Sequence, residues 1–478
     1  MRKNKLKKYN LFIAIILSFL CILNFYFIFK LNVIPSKYLS LVYLLLILTV
    51  LIIIPLLKIK KKQKKLGMFL SFIATLFSIF YIILFLYIIK TYDVLGTISS
   101  NKYKTQNYII VVNNNSNYNK IEDLKNKKIS YVETEIYDIK GASNTLKTKI
   151  AFKENISGDY ETLLNELYSN KVDAILLETS YKELLVSEAN KESLYSTFDE
   201  KTKIIYNFEI QLEEEKQEKI ELNVVKDSFN IYISGIDTYG KISSVSRSDV
   251  NIVASINPNT KKILLITIPR DYYVHLSGTN GYKDKLTHAG IYGVDKSLNT
   301  IEELLDIDIN YYIKVNFTSL IKIVDAVDGV NVYSEYTFKG ENYTFNKGYN
   351  YLNGEKALEF SRTRKTLPGG DRTRGKNQQA VITALVDKFT SKKIITNYSN
   401  ILDSIKDTFV TNMTMEEITN LIKMQIDDMS KWDITSISLD GSDSYEYTYS
   451  YSHQKLYVMV PNNKTIEEAK LKINQVFN

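Results

Sequence analysis

The chain has 478 residues and 55.2 kDa, enough for two or three domains, and its formal net charge of +8 is unevenly spread. Residues 1–90 carry 14 basic and no acidic side chains, which leaves 47 basic against 53 acidic, a net of −6, for the rest. That balance excludes a nucleic-acid binder, whose footprint would be a basic folded domain.

Three apolar runs, at about 11–29, 39–57 and 67–89, each approach the ~20 residues needed to cross hydrocarbon and predict transmembrane helices. The first is not a secretion signal, because no small-residue cleavage site follows it and two further spans do. Lysines cluster before the first run (Lys3, Lys5, Lys7, Lys8) and between the second and third (Lys58, Lys60, Lys61, Lys62, Lys64, Lys65), whereas the loop near Pro35 holds only Lys37. The positive-inside rule then places the N-terminus in the cytoplasm and everything after Tyr92 outside. Cys21 lies within the first span, so the exterior part has no disulfide, which suits a Gram-positive-type cell surface.

After the membrane region (1–92), residues 93–212 alternate short apolar runs with helical patterns and predict an accessory α/β domain with a partly parallel sheet. Its segments YNKIEDLKNKKISYVE and YETLLNELYSNKVDAILLE resemble one lobe of an amino-acid-type solute-binding protein. A second lobe and an arginine to grip a carboxylate are both missing, so a spacer that binds nothing is the alternative. A charged linker spans 213–227. Residues 228–478 are again mixed α and β, with strand-like FNIYIS, VNIVASI, KILLITI and YYIKVNF and helical patterns at about 297–305, 318–326, 375–390, 414–429 and 465–476.

Of 61 Lys and Arg residues only seven are arginine, and apart from Arg2 all lie between positions 247 and 374. A chain that uses lysine almost everywhere has kept the guanidinium fork, which grips phosphate or carboxylate bidentately, in one region. An oxyanion site, most simply for phosphate, is the expectation there; ordinary ion pairs are the alternative.

The segment SRSDVNIVASINPNTKKILLITIPRD predicts a β-hairpin turning at NPNT. With Asn257 facing Thr260, Arg247 would lie opposite Arg270 and Asp249 opposite Ile268, bringing two guanidinium groups and a carboxylate to one sheet edge. FNIYISGID ends a strand at Asp237, a natural ligand position. In FSRTRKTLPGGDRTRGKNQQAV, Arg362 and Arg364 share a side if the chain is extended there. PGG then precedes a helix on which Arg374 and Gln378, four apart, share a face. Arg372 falls off that face and is expected at the surface, and Asp371 is expected to cap the helix, with orienting an arginine as the alternative.

These motifs closely resemble the LytR-CpsA-Psr family of cell-wall glycopolymer ligases. SGID, SRSDV, IPRD, DKLTHA, DGVNV, NGEKALEFSRTR and GDRTRGKNQQ occur in family order between about 229 and 389, with a family-like extension over 390–478. The resemblance implies an α/β catalytic domain with a central mixed sheet flanked by helices. It implies Asp237 and Asp249 as ligands of Mg²⁺, and Arg247, Arg270, Arg362, Arg364, Arg374 and Gln378 as the groups that grip the pyrophosphate of a polyprenyl-linked glycopolymer, with Lys285 near the head group. Arg247, Asp249, Arg270, Arg362 and Arg364 would carry the catalysis. Many members have a further arginine where this chain has Asn377, so that contact is expected to be looser.

The implied reaction moves a glycopolymer phosphate from its polyprenyl pyrophosphate carrier to a peptidoglycan hydroxyl, as in teichoic acid or capsule attachment. The alternatives are a pyrophosphatase acting on the same donor and a non-catalytic surface sensor or scaffold. Asp249 and Asp271 are candidate bases for the acceptor hydroxyl, although Asp271 could instead brace Arg270. His275, His288 and His453 are too scattered for a zinc site, and His288 is expected to serve packing or hydrogen bonding. The runs ILLITI, YYIKVNF and LIKIVDAV could line a slot for the lipid or form ordinary core.

Overall fold

The computed structural model describes residues 2–57, 64–99, 103–134, 137–191, 193–213, 222–236, 242, 246–391, 398–406 and 408–478. Asp237 and most of the linker, residues 214–221, lie outside the described residues.

The apolar runs form helices Arg2–Leu31, Ser36–Leu56 and Lys64–Ser99. All three contain segments long and apolar enough to cross a membrane, the third over Lys65–Ser99. Leucine, isoleucine and phenylalanine side chains cover the outside of this bundle, while Asn24, fully buried, donates to the carbonyls of Leu20 and Tyr81 at 2.8 and 3.0 Å. A buried amide facing a neighbouring helix backbone is how a polar group is tolerated in an apolar bundle.

The part after the third helix is mixed α/β, as the alternating patterns predict. The first unit is a five-stranded sheet in the order Lys153–Ser157, Lys128–Val132, Ala174–Glu178, Tyr103–Asn113, Thr202–Glu213. The first three strands are parallel, and Tyr103–Asn113 runs antiparallel to both of its neighbours.

The second unit is built on a six-stranded mixed sheet ordered Phe409–Thr411, Tyr311–Asn316, Phe229–Ile236, Ser248–Asn257, Lys262–Thr267, Asp433–Ser438. Its central strands are apolar on both faces because both faces are covered. Val253, Leu264 and Ile266 pack under helices Val294–Leu305 and Asn463–Phe477. Ile252, Ala254, Ile263 and Leu265 face the opposite layer, where Ile382, Val386, Ile418 and Leu421 of helices Asp371–Phe389 and Met415–Asp428 close the core.

The two units share a core. Tyr451 and Leu456, from the C-terminal extension, are buried in the accessory core with Leu163, Leu177 and Tyr195. The second unit also rests on the N-terminal helix bundle. Met415, Ile418, Ile422 and Ile426 pack against the bundle's buried residues, and Lys90–Asp403, Lys406–Asp93 and Lys37–Asp427 ion pairs, at 2.6, 2.7 and 3.1 Å, surround that contact.

Candidate active site

Strand polarity brings the functional segments to one edge of the larger sheet. Phe229–Ile236 and Tyr311–Asn316 are parallel and both end there, Ser248–Asn257 begins there, and Lys262–Thr267 ends there. Strand ends at a sheet edge are where α/β domains bind ligands.

The hairpin forms, but its turn is longer than the sequence suggests. Asn257 pairs with Lys262, leaving a four-residue loop over 258–261. The Asn257 side chain accepts hydrogen bonds from the backbone N–H groups of Asn259 and Thr260 at 3.0 and 3.1 Å, and Lys261 adopts φ +56°. Asparagine stabilises such a loop by mimicking a backbone turn. The register moves by two residues, which preserves faces but changes partners. Arg270 therefore meets Asp249, Nη1 to Oδ2 at 2.8 Å, and the expected Arg247–Arg270 and Asp249–Ile268 oppositions are not found. Asp249 is also the extra residue of a β-bulge, since Gly235 pairs with Val250 and Ile236 with Ser248. A bulge re-aims the side chain it inserts. The Asp249 carboxylate points into a cleft, with Thr287 Oγ1 donating to its other oxygen at 3.0 Å.

Arg362 and Arg364 reach the same cleft by a route the sequence reading missed. The segment is not extended: Arg362 ends helix Gly354–Arg362, which Asn353 caps by accepting from Lys356 N at 3.0 Å, and Arg364 follows the turn. NGEKALEF carries both the cap and the helical apolar spacing that would have revealed this helix. The Arg362 guanidinium lies 4.0 Å from the Phe317 ring centroid, a stacking geometry open to arginine's planar cation.

Helix Asp371–Phe389 begins after Gly369 and Gly370, both at positive φ. Gly375, one turn later, allows close approach to the sheet: a Cβ there would stand 2.9 Å from Thr267 Cγ2. Arg374 and Gln378 line the cleft from this helix, as their spacing predicts, and Gln378 Nε2 donates to Ser361 O at 3.2 Å. Asp371 is not the N-cap, which is Gly370; it is the first helical residue and holds Arg374 Nη2 at 2.5 Å. Burial raises the Asp371 carboxyl above its ordinary range even though Arg374, Arg270 and Arg364 act in the opposite direction. Arg372 is at the surface, paired with Asp440 at 2.6 Å, and Asn377 donates to Phe360 O at 3.2 Å, satisfied by the fold.

The cleft has a volume of about 1330 Å³ and two contrasting parts. Asp249, Arg270, Arg362, Arg364, Arg374 and Gln378 belong to the polar part, whose lining also includes Lys339, Lys365, Glu341, Glu355 and Glu359. Val315, Leu320, Ile321, Val381, Ile382 and Leu385 continue it as an apolar wall. Of the three runs proposed for a lipid slot, YYIKVNF and LIKIVDAV contribute, whereas Ile263, Leu264, Leu265 and Ile266 of ILLITI are buried core. Arg270 is the most telling group. Its side chain is only 14 % exposed and its Nε is buried with no hydrogen-bond acceptor among the described residues, the nearest carboxylate, Asp271, lying 3.8 Å away. A buried donor left unpaired is costly, so the fold holds this guanidinium at the cleft despite an energetic penalty.

Two expected site residues face elsewhere. Arg247 does not line the cleft; its Nη1 donates to Ser187 Oγ of the accessory domain at 2.8 Å. Lys285 is buried between Glu188 and Asp271, at 3.1 and 3.6 Å, and does not line the cleft either. In both cases accessory helix Thr179–Glu188 supplies the competing partner. His288 is fully buried, its Nδ1 2.6 Å from Asp284 Oδ1, in the hydrogen-bonding role expected. His275 Nδ1 lies 2.8 Å from Gly281 O and His453 Nε2 3.0 Å from Tyr195 Oη, far from any shared centre.

For a metal ion, the described residues provide the hard oxygens of Asp249 at the cleft floor, and no group of three or more His, Cys, Asp or Glu able to hold an ion occurs among them. One or two carboxylates completed by phosphate oxygens and water is how Mg²⁺ is usually held, so this donor set fits that ion.

Comparison with known proteins identifies the family. The LytR_cpsA_psr family model matches residues 194–466, more than half of the chain. A polyisoprenyl-teichoic acid–peptidoglycan teichoic acid transferase TagU of Enterococcus faecalis is 36 % identical over 213 residues, 44 % of this chain and 69 % of that protein. The protein of the same name from Bacillus cereus is 34 % identical over 233 residues, 48 % of this chain and 76 % of its own. The crystal structure of B. subtilis TagV superposes with a TM-score of 0.45 at 29 % identity, covering 53 % of this chain and 98 % of that one. The chain belongs to the LytR-CpsA-Psr family.

Proposed function

We propose that the protein is a membrane-anchored glycopolymer phosphotransferase, moving a glycan phosphate from a polyprenyl pyrophosphate carrier to a peptidoglycan hydroxyl outside the cell. The observation that carries this reading is the cleft itself, in which four guanidinium groups and the Asp249 carboxylate adjoin an apolar wall. A ligand with a diphosphate joined to a hydrocarbon chain matches both parts, since arginine forks suit phosphate and apolar side chains suit lipid. The relatives' names, teichoic acid transferases acting on peptidoglycan, support the same class of donor and acceptor.

In the reaction, the acceptor hydroxyl oxygen attacks the phosphorus retained by the glycan, and the bond from that phosphorus to the bridging oxygen breaks. Polyprenyl phosphate leaves with the electron pair, and the hydroxyl proton passes to a base. Arg270, Arg362, Arg364 and Arg374 hold the diphosphate and stabilise the charge that grows on the leaving phosphate. Of the two candidate bases, Asp249 faces the cleft with its oxygens engaged by Arg270 and Thr287, and Asp271 faces Lys285 and Arg270. Asp249 and Asp237 would hold Mg²⁺, which when bound neutralises phosphate charge.

The exterior placement is supported by the charge pattern of the spans and by the packing of the catalytic domain near Lys37, Lys90 and Asp93, at the same end of the bundle. Full-length protein in detergent, given lipid-linked donor, Mg²⁺ and peptidoglycan oligomers, is expected to yield a covalent glycan–peptidoglycan product. Release of free glycan phosphate alone would instead identify a pyrophosphatase, and an unconsumed donor a scaffold.

A further inference from the structure

Helix Thr179–Glu188 of the accessory domain ends against the catalytic domain, and its last residue enters a cluster of cations. Glu188 Oε2 lies 3.1 Å from Lys285 Nζ, and Oε1 lies 3.6 Å from His288 Nε2 and 3.9 Å from Arg247 Nη1. The Glu188 side chain is 13 % exposed, that of Lys285 6 %, and His288 is fully buried. The neighbouring Ser187 accepts from Arg247.

Nothing local to the accessory domain explains this carboxylate. A negative charge in the last turn of a helix opposes the helix dipole, and burial opposes the charge again. The catalytic domain supplies what offsets both: three cationic or protonatable groups, Arg247, Lys285 and His288, converging on this carboxylate. Burial works to raise the Glu188 carboxyl, but His288 and Lys285 prevail and hold it down at about 2.

The cluster also continues to the cleft. Lys285 reaches Asp271 at 3.6 Å, Asp271 reaches Arg270 at 3.8 Å, and Arg270 reaches Asp249 at 2.8 Å, so charges alternate from Glu188 to the cleft floor. Arg247 immediately precedes the strand Ser248–Asn257 that carries Asp249, two residues before that carboxylate.

We propose that Arg247, Lys285 and His288 form an oxyanion site on the catalytic domain, that Glu188 of the accessory domain is its resident anion, and that a phosphate group of the donor competes with Glu188 for this site. The accessory domain thereby sets the affinity of the transferase for its donor. The donor's identity as a diphosphate rests on the function proposed above; the competition itself does not.

Inorganic pyrophosphate is the probe, titrated calorimetrically into the full-length protein in detergent without donor or acceptor. Glu188→Gln is expected to bind it ~10-fold more tightly than the wild type, within the usual range of coupling between two sites. Glu188→Asp, which keeps the charge, is expected to stay within about twofold of wild type, and Arg247→Ala added to Glu188→Gln is expected to abolish the gain. A merely structural role for Glu188 would weaken binding or leave it unchanged, and either result in a folded Glu188→Gln protein overturns the proposal. Ser187→Ala, which keeps every charge but removes the partner of Arg247, is expected to give a gain of about twofold to threefold. It decides the matter if Glu188→Gln does not fold, and no gain there overturns the proposal. Failure of both variants while wild type still transfers glycan removes the competing carboxylate and leaves the transferase standing. Tighter pyrophosphate binding in a protein that transfers nothing has the opposite meaning.

Discussion

Arg270 Nη1 lies 2.8 Å from Asp249 Oδ2 across the hairpin, and both side chains face the cleft. The pair holds Arg270 in place at the cleft. Two further contacts, from Thr287 to Asp249 and from Asp271 to Arg270, fix the orientation.

Arg270→Lys is therefore expected to fail although it keeps the charge. A point-charge ammonium cannot serve Asp249 and a phosphate at once, and kcat/KM for the lipid-linked donor should fall about 100-fold. Arg372→Ala, which breaks an exposed pair with Asp440, should stay within about twofold of wild type. Steady-state kinetics on the two proteins side by side checks both.

The apolar wall predicts a dependence on lipid length. Ile382→Asn or Leu320→Asn places an unpaired amide where hydrocarbon would lie. KM for a long-chain polyprenyl donor should rise about 10-fold, while a donor with only a few carbons should change less than about twofold. Equal losses on both donors would show that the lipid lies elsewhere.

Much of this architecture is legible in the sequence. All five helical patterns read in the catalytic domain are helices, and the four strand-like runs are adjacent strands, because near-continuous apolar segments of that length fit a sheet covered on both faces. Arginine usage located four of the cleft's guanidinium groups. What the sequence hid are matters of register and long-range contact. Asn257 holds a four-residue turn where NPNT suggests a two-residue one, and the bulge at Asp249 has no local signature. Arg362 belongs to a helix whose Asn353 cap was overlooked. Arg247 and Lys285 were assigned to the cleft because nothing in their own segments announces Glu188, about 60 and 97 residues away in the chain.

Stability should carry a pH signature from Glu178, which ends strand Ala174–Glu178 and accepts from Tyr181 N at 2.9 Å. Burial pushes its carboxyl up from 4.5 to about 8, with Ser180 and Tyr181 pulling the other way. The folded protein thus keeps a proton that the unfolded chain releases between those values, so the stabilisation is fully present below pH 4.5 and is lost as pH rises through about 8. Glu178→Gln should remove this dependence: its Tm should exceed that of wild type at pH 9 and not at pH 5. Parallel melting curves of the two full-length proteins in detergent test it, and identical pH profiles would refute it.

The most direct measurement of the central claim, that this cleft holds a lipid-linked diphosphate, is mass spectrometry of lipids extracted from protein purified in mild detergent out of a Gram-positive host. Wild type is expected to retain a polyprenyl diphosphate species, bare or glycan-bearing, and the Arg362→Ala, Arg364→Ala double variant to lose it. Equal amounts of such lipid on both proteins, or none on the wild type while the folded protein is saturated with a different anion, would contradict the account.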